Sequence, residues 1–248
     1  MTTHEPSDDH GHDHGHGHGH SHVHDDPAAA EAEFAAMFEL DWWQERYGDV
    51  EPVWSGRPNV RLVEQAGDLT PGTALEVGCG EGADAIWLAQ AGWAVTAVDF
   101  SQAGLDRAAA HAESVGADVA SRITWLCQDL RSWTPPSANF DLVTAHYMHL
   151  PSPLRRVLFA GLADAVRPGG TLLIVGHHPR DLATALRTPA PPELMQDAMF
   201  TAEQVAADLD PDAWQVEVAD AAARPATSPD GEQVTVHDAV LRARRHAA

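Results

Sequence analysis

The chain has 248 residues, 44% of them apolar, which is enough for one sizeable core and sets a single globular domain with extensions as the expectation. It carries 37 acidic residues against 15 arginines and no lysine, for a formal net charge of −22. The basic groupings are confined to Arg155–Arg156 and to Arg242, Arg244 and Arg245, so neither a nucleic acid nor an anionic membrane is an expected partner.

No apolar run reaches the ~18 residues of a membrane span, and no basic region followed by an apolar run opens the chain. Two cysteines, Cys79 and Cys127, form no Cys-x-x-Cys pair, so a disulfide framework and a cysteine-held zinc are both unexpected. The expected location is cytoplasmic.

Residues 1–26 hold nine of the sixteen histidines, mostly alternating with Gly or Asp. Too few apolar groups are present to offset chain entropy, so disorder without a ligand is expected. His10, His12, His14, His16, His18, His20, His22 and His24 suit Ni, Zn, Cu or Co, which a flexible tract can gather; an affinity tag is the alternative. Residues 27–70 read as N-terminal helices and a lid, and residues 71–248 as the core.

From Pro27 to Tyr47 the residues Phe34, Met37, Phe38, Leu40 and Trp42 recur at roughly helical spacing. The following segment, WWQERYGDVEPVWSGRPN, sets Trp42, Trp43, Tyr47 and Trp54 beside Arg46 and Arg57 in a loop-forming context. Trp54 and Arg57 are candidates for a lid over a ligand, with surface packing as the alternative. A helix is expected from Asn59, ending at Gly67 before the Pro71–Gly72 turn.

Residues 73–91, TALEVGCGEGADAIWLAQA, read as a short apolar strand, a turn with Gly78, Gly80 and Gly82, and a helix. Glycine supplies positive φ and close backbone approach, and a helix N-terminus offers free N–H groups, so the turn is a ligand cradle. A dinucleotide fingerprint has the form GxGxxG; here the third glycine comes one residue early and Glu76 stands two before the first. The next strand, WAVTAVDF, ends in Asp99, 21 residues after Gly78. That places a carboxylate where an open α/β sheet holds a ribose diol, with a helix N-cap as the alternative.

Ser101 to Val115 reads as a helix, and Ile123 to Cys127 as a third strand with Gln128, Asp129 and Leu130 at its tip. FDLV then gives a fourth strand opening into TAHYMHLPSP, a helix runs from Leu154 to Val166, and RPGGTLLIVGHH supplies a turn and a fifth parallel strand. Beyond it, a short helix is expected over Arg180–Arg187, a break over Pro189–Pro192 and a helix over Thr201–Asp208, capped by Thr201 with Glu203 near. Strands are expected over Trp214–Val218 and Val234–Leu241, around a Pro229–Asp230–Gly231 turn.

In this order and at these distances, residues 54–243 resemble the class I S-adenosylmethionine-dependent methyltransferases, whose first motif is E/D-x-G-x-G-x-G. The Trp- and Arg-containing segment before the first motif is similar to the small-molecule branch that includes tellurite-resistance and thiopurine methyltransferases. The resemblance implies an α/β, doubly wound, Rossmann-like seven-stranded sheet, mostly parallel with an antiparallel last strand and helices on both faces. It implies S-adenosyl-L-methionine as cofactor and a small-molecule methyl acceptor. Gly78, Cys79, Gly80 and Gly82 would lie against the methionine and ribose part, with Glu76 near the amino group and Asp99 on the diol. Phe100 would sit beside the adenine, Asp129 on its amino group and Leu130 next to it.

His146 and His149 lie where the fourth strand opens into its loop, and His177 and His178 at the tip of the fifth. Four imidazoles could converge there, with His146 as general base and His149 and His177 as substrate wall; hydrogen-bonded strand-end histidines are the alternative. Two competing functions stand beside methyl transfer. One is a metal-sequestering or metal-delivery protein that binds the nucleoside cofactor without turnover, and the other is a nicotinamide-dependent oxidoreductase, disfavoured by the glycine spacing. The sequence leaves the acceptor and the oligomeric state open.

Overall fold

A computed structural model describes residues 39–48, 56–182, 192–228 and 231–247, with Ala32, Ala35 and Ala36. The apolar runs become strands β1 (Thr73–Val77), β2 (Ala94–Asp99), β3 (Ile123–Cys127), β4 (Phe140–His146) and β5 (Val166–His177). They are followed by β6 (Trp214–Thr227) and β7 (Gln233–Arg245), and the sheet order is β3-β2-β1-β4-β5-β7-β6. The first five strands run parallel to one another, and β7 runs antiparallel to both β5 and β6. The expected doubly wound sheet is therefore present.

The eight α-helices of the described residues are α1 (Leu40–Gly48), α2 (Val60–Ala66), α3 (Ala83–Gln90), α4 (Gln102–Val115), α5 (Ala117–Ala120), α6 (Ser152–Ala165), α7 (Pro192–Ala198) and α8 (Ala202–Ala206). The strands read as continuous apolar runs because both sheet faces are covered. Leu75, Val77, Val143 and Ile174 pack with Phe159 and Leu162 of α6 on one face, while Ala74, Val95 and Leu142 pack with Leu62, Ile86 and Leu88 on the other. β1 is flanked by β2 on one side and β4 on the other. Its C-terminal tip is thus the point where the winding reverses, the place at which such sheets bind ligands.

Three regions differ from the expectation. Trp42, Trp43, Arg46 and Tyr47 sit on α1 rather than in a loop, because the aromatic side chains pack: Trp43 stacks on Tyr47 at 5.5 Å, and Tyr47 lies against Gly104 of α4. β6 and β7 run well beyond the anticipated five and eight residues. The segment ADAAARPAT has no strand-like alternation, yet pairing along β7 imposes one, and edge strand β6 tolerates Pro225. Helix α7 starts at Pro192, where a break was expected, proline being acceptable in a first turn. As expected, Thr201 caps α8, in a reciprocal capping box with Gln204. Of the expected helix over Arg180–Arg187 only the first three residues are described, and a 3-10 turn at Pro179–Asp181 runs into them; residues 183–191 lie outside the described ones.

Candidate active site

The glycine turn links β1 to α3. Gly78, Gly80 and Gly82 have φ of 75°, 50° and 81°, in the left-handed region that favours glycine. A Cβ on Gly78 would meet only the flexible Met148 side chain, while one on Gly82 would lie 2.7 Å from the Trp125 ring and 2.8 Å from the Ala108 Cβ. Packing therefore demands a glycine at 82, and the left-handed backbone favours one at 78. The Gly78 and Cys79 N–H groups donate to Val98 O at 2.8 and 3.1 Å, tying the turn to the end of β2.

Asp99, 4% exposed, accepts the Gly80 N–H on one oxygen and the Ser101 N–H on the other, both at 2.9 Å. A carboxylate offers about four lone-pair sites, so each oxygen keeps one acceptor, a pattern suited to a vicinal diol. Burial raises its pKa, with the Ser101 and Gly80 N–H groups opposing the shift. Phe100 follows, edge-on to Trp43 of α1 at 6.4 Å. Aromatic cover over this strand tip therefore comes from Trp43, and Trp54 lies outside the described residues. Arg57 is exposed.

Glu76, 2% exposed, points from β1 into the same region. Burial, then the neighbouring Asp84 and Asp99, push its pKa well up. His146, the last residue of β4, directs Nδ1 at Asp84 Oδ2 at 2.7 Å, and Asp84 Oδ1 accepts the Asn59 N–H at 2.6 Å. Glu76, Asp84 and His146 bring acceptor atoms within 4.8 Å of one another. Among the described residues, four buried side-chain atoms have no hydrogen-bond partner: Glu76 Oε2, His146 Nε2, Thr144 Oγ1 and Asn59 Nδ2. All four belong to this locus, since Thr144 is in register with Glu76 across β1 and β4 and Asn59 holds Asp84. Two carboxylates and an imidazole at this spacing are a donor set that could take a cation, and a primary ammonium would satisfy the orphaned acceptors.

The other candidate residues part company. His149 and His177 stack at 4.9 Å with 7° between planes, and His149 Nε2 accepts the His177 N–H at 3.3 Å. Burial is the main cause that pushes His149 down to about 3 and His177 down to about 4, so both are neutral at physiological pH. His178 turns away to cap Arg180 N–H. The expected convergence of four imidazoles is thus not formed, because His146 is drawn to Asp84 and the pair to each other. Tyr147 packs on His177 at 4.6 Å, has φ of 54°, and donates its hydroxyl to Asp238 at 3.0 Å. Asp238, fully buried, also pairs with Arg61 at 3.1 Å and Arg224 at 2.9 Å.

Asp129 stands at the tip of β3 as expected, but Arg131 binds both its oxygens and reaches Glu39 as well; those hydrogen bonds hold its pKa down. The Leu130 side chain joins the core. Cys79 is buried, and burial with Glu76 and Asp99 nearby pushes its thiol well up, so it is no thiolate. The tail histidines lie outside the described residues. Sequence reasoning missed Asp84, whose only signal was an acid in the first turn of a helix opening on the glycine turn, the same signal that a charge answering the helix dipole leaves. It also missed the Asp238 node.

Sheet order, switch-point turn and strand-tip carboxylate together define the class I methyltransferase fold. Residues 74–170 match a family model described as a methyltransferase domain. A ubiquinone biosynthesis O-methyltransferase of Coxiella burnetii is 33% identical over 144 residues, covering 57% of this chain and 58% of that protein. One of Alkalilimnicola ehrlichii is 34% identical over 136 residues, 53% of each. The chain thus spans a little over half the length of these curated relatives. A solved structure described as concerning conversion of a disulfide bond into a thioacetal group during echinomycin biosynthesis is 25% identical, with a TM-score of 0.60, covering 85% of this chain and 91% of its own. TehB from Haemophilus influenzae, at 18% identity and TM-score 0.57 over 83% of this chain and 66% of its own, shares the fold.

Proposed function

We propose that the chain transfers a methyl group from S-adenosyl-L-methionine to a small-molecule acceptor. The observation that carries this reading is the gathering of every orphaned buried polar atom of the described residues beside the glycine turn. Glu76 Oε2 and Asp84 would take the cofactor's ammonium, Asn59 Nδ2 is a donor for its carboxylate, and Asp99 would accept the two ribose hydroxyls. Phe100 and Trp43 would cover the adenine, and Asp129 would receive its amino group once Arg131 yields an oxygen. When bound, the cofactor supplies a methyl group already activated on a sulfonium sulfur. The protein's share is to hold the acceptor in line and keep water out. The O-methyltransferase relatives support an oxygen acceptor, and the small-molecule class follows from them.

Calorimetry with S-adenosylhomocysteine, NAD and NADP tests the reading. Wild-type protein is expected to bind S-adenosylhomocysteine alone, and Asp99→Ala to lose that binding. Preference for a nicotinamide dinucleotide, or undiminished binding by Asp99→Ala, would sink it.

The remaining parts of the proposal concern the rest of the chain. Residues 1–26 would bind Ni, Zn, Cu or Co through the histidines from His10 to His24, as a tail separate from the catalytic unit of residues 27–248. Metal delivery without turnover is the weaker reading, since the cofactor locus keeps its acids and its glycines. A cytoplasmic setting fits the composition, and no helix among the described residues is long and apolar enough to cross a membrane. Nucleic acid is no partner in this reading.

A further inference from the structure

We propose that Met148 gates the methionine arm of the cofactor: its thioether rests on Gly78, where that arm would pass, and turns aside when the cofactor binds. The inference rests on the methyl-transfer reading and adds to it the residue that admits the methyl donor. With the ammonium at Glu76 and the ribose diol at Asp99, the link between them follows the chain from the end of β1 to Gly80, whose N–H is held by Asp99. Gly78 lies on that path.

Gly78 and Gly82 are walled differently. At Gly82 the nearest neighbours are the Trp125 ring and the Ala108 Cβ, and the Ala108 methyl cannot move without α4. At Gly78 the three atoms nearest to a Cβ would all belong to Met148, with Sδ in collision, Cγ at 3.4 Å and Cε at 3.7 Å. The space over Gly78 is therefore filled by an unbranched, flexible side chain. On leaving, a thioether gives up dispersion contacts rather than strong hydrogen bonds.

The backbone that carries Met148 is fixed on both sides. The Tyr147 N–H donates to Val175 O at 2.7 Å and the Tyr147 hydroxyl to Asp238 at 3.0 Å. His149 Nε2 accepts the His177 N–H at 3.3 Å, and Arg155 Nη1 donates to Leu150 O at 3.2 Å. Between these anchors Met148 is half-buried against the core face that α6 covers. The movement is thus a change of rotamer on a fixed base, not the opening of a loop. While Met148 covers Gly78 the arm has no room, so the apparent affinity is scaled by the fraction of molecules in which the side chain has turned. Removing the thioether removes that competition and tightens binding, the reverse of what the loss of an ordinary packing residue does.

The test uses the full chain, Met148→Ala and Met148→Leu, with S-adenosylhomocysteine as the probe in calorimetry and in carbon-13 methyl NMR of the methionines, five in the sequence. The Met148 methyl signal, identified by its loss in Met148→Leu, is expected to shift when the wild type is saturated with S-adenosylhomocysteine. Met148→Ala is expected to bind S-adenosylhomocysteine about three- to tenfold more tightly, and to melt at a lower temperature without it because core contacts are lost. Those opposite signs separate a gate from a packing residue, whose loss would lower both. The methyl shift is read in the wild type, so it decides even if Met148→Ala does not fold.

Unchanged or weaker binding by Met148→Ala would overturn the proposal, as would a Met148 methyl signal that saturating S-adenosylhomocysteine leaves in place. Binding to neither the wild type nor Met148→Ala would instead bring down the methyl-transfer reading itself. Calorimetry on the wild type separates the two failures, since only the second leaves it without a binding signal.

Discussion

The two halves of the site are built by opposite means. On the proposed cofactor side, the glycine turn is closed by contacts between near neighbours in sequence, such as the Gly80 N–H on Asp99, 19 residues away, and the Ser101 N–H on the same carboxylate. On the proposed acceptor side, Tyr147, which packs on the His149–His177 pair, is held by Asp238, 91 residues away and itself bound to Arg61, 177 residues distant. A locally closed half tolerates change in distant elements. A half assembled by topology ties its geometry to the whole fold.

The largest effect is expected where the long-range half is cut. Asp238→Ala leaves Arg61 and Arg224 without their buried partner and frees the Tyr147 hydroxyl; breaking a buried ion pair from one side costs about 3–5 kcal/mol. Urea denaturation should show that loss, and a change below about 1 kcal/mol, the range of exposed ion pairs, would mean that the node does not hold the wall.

On the local half, Gly82→Ala forces φ of 81° on alanine and puts a Cβ 2.7 Å from the Trp125 ring and 2.8 Å from the Ala108 Cβ. A loss of about 1–3 kcal/mol is expected, together with weaker S-adenosylhomocysteine binding, read by thermal shift with and without the ligand. Unchanged stability and binding would show that the turn is not fixed in this form.

The smallest change has the opposite sign. Burial raises the pKa of Glu76 in the folded protein, so its protonated form stabilises the fold fully below the unfolded carboxyl pKa, and that contribution is lost as pH rises through the folded value. Glu76→Gln, which cannot ionise, should therefore gain stability relative to wild type as pH increases from about 4.3 upward. Comparative urea melts across that range check it; a stability difference that does not vary with pH would mean that Glu76 titrates normally.

The same contrast explains how much could be read in advance. β1 to β5, the turn and the placement of Asp99 were legible because continuous apolar runs, glycines and a strand-tip acid are local signals. His146 was visible as an imidazole at a strand end, but its partner Asp84 lies 62 residues away and only the β1–β4 pairing brings the two together. Asp238 sits in a strand whose pattern gives no hint that its carboxylate is fully buried. The lengths of β6 and β7 were hidden for a related reason, since alanine-rich sequence takes its conformation from the partner strand. Trp43, rather than Trp54, meets Phe100 because α1 docks on α4, a choice that helix periodicity cannot make.

The Asp99 carboxylate has one more consequence. By grasping the Gly80 amide before any ligand arrives, it settles the ordering entropy of the turn during folding rather than at binding. In the proposed reading, nucleoside capture then needs no loop closure on this side of the site. Its affinity should reflect contacts made rather than conformations lost, and whatever conformational change accompanies catalysis is left to the acceptor side.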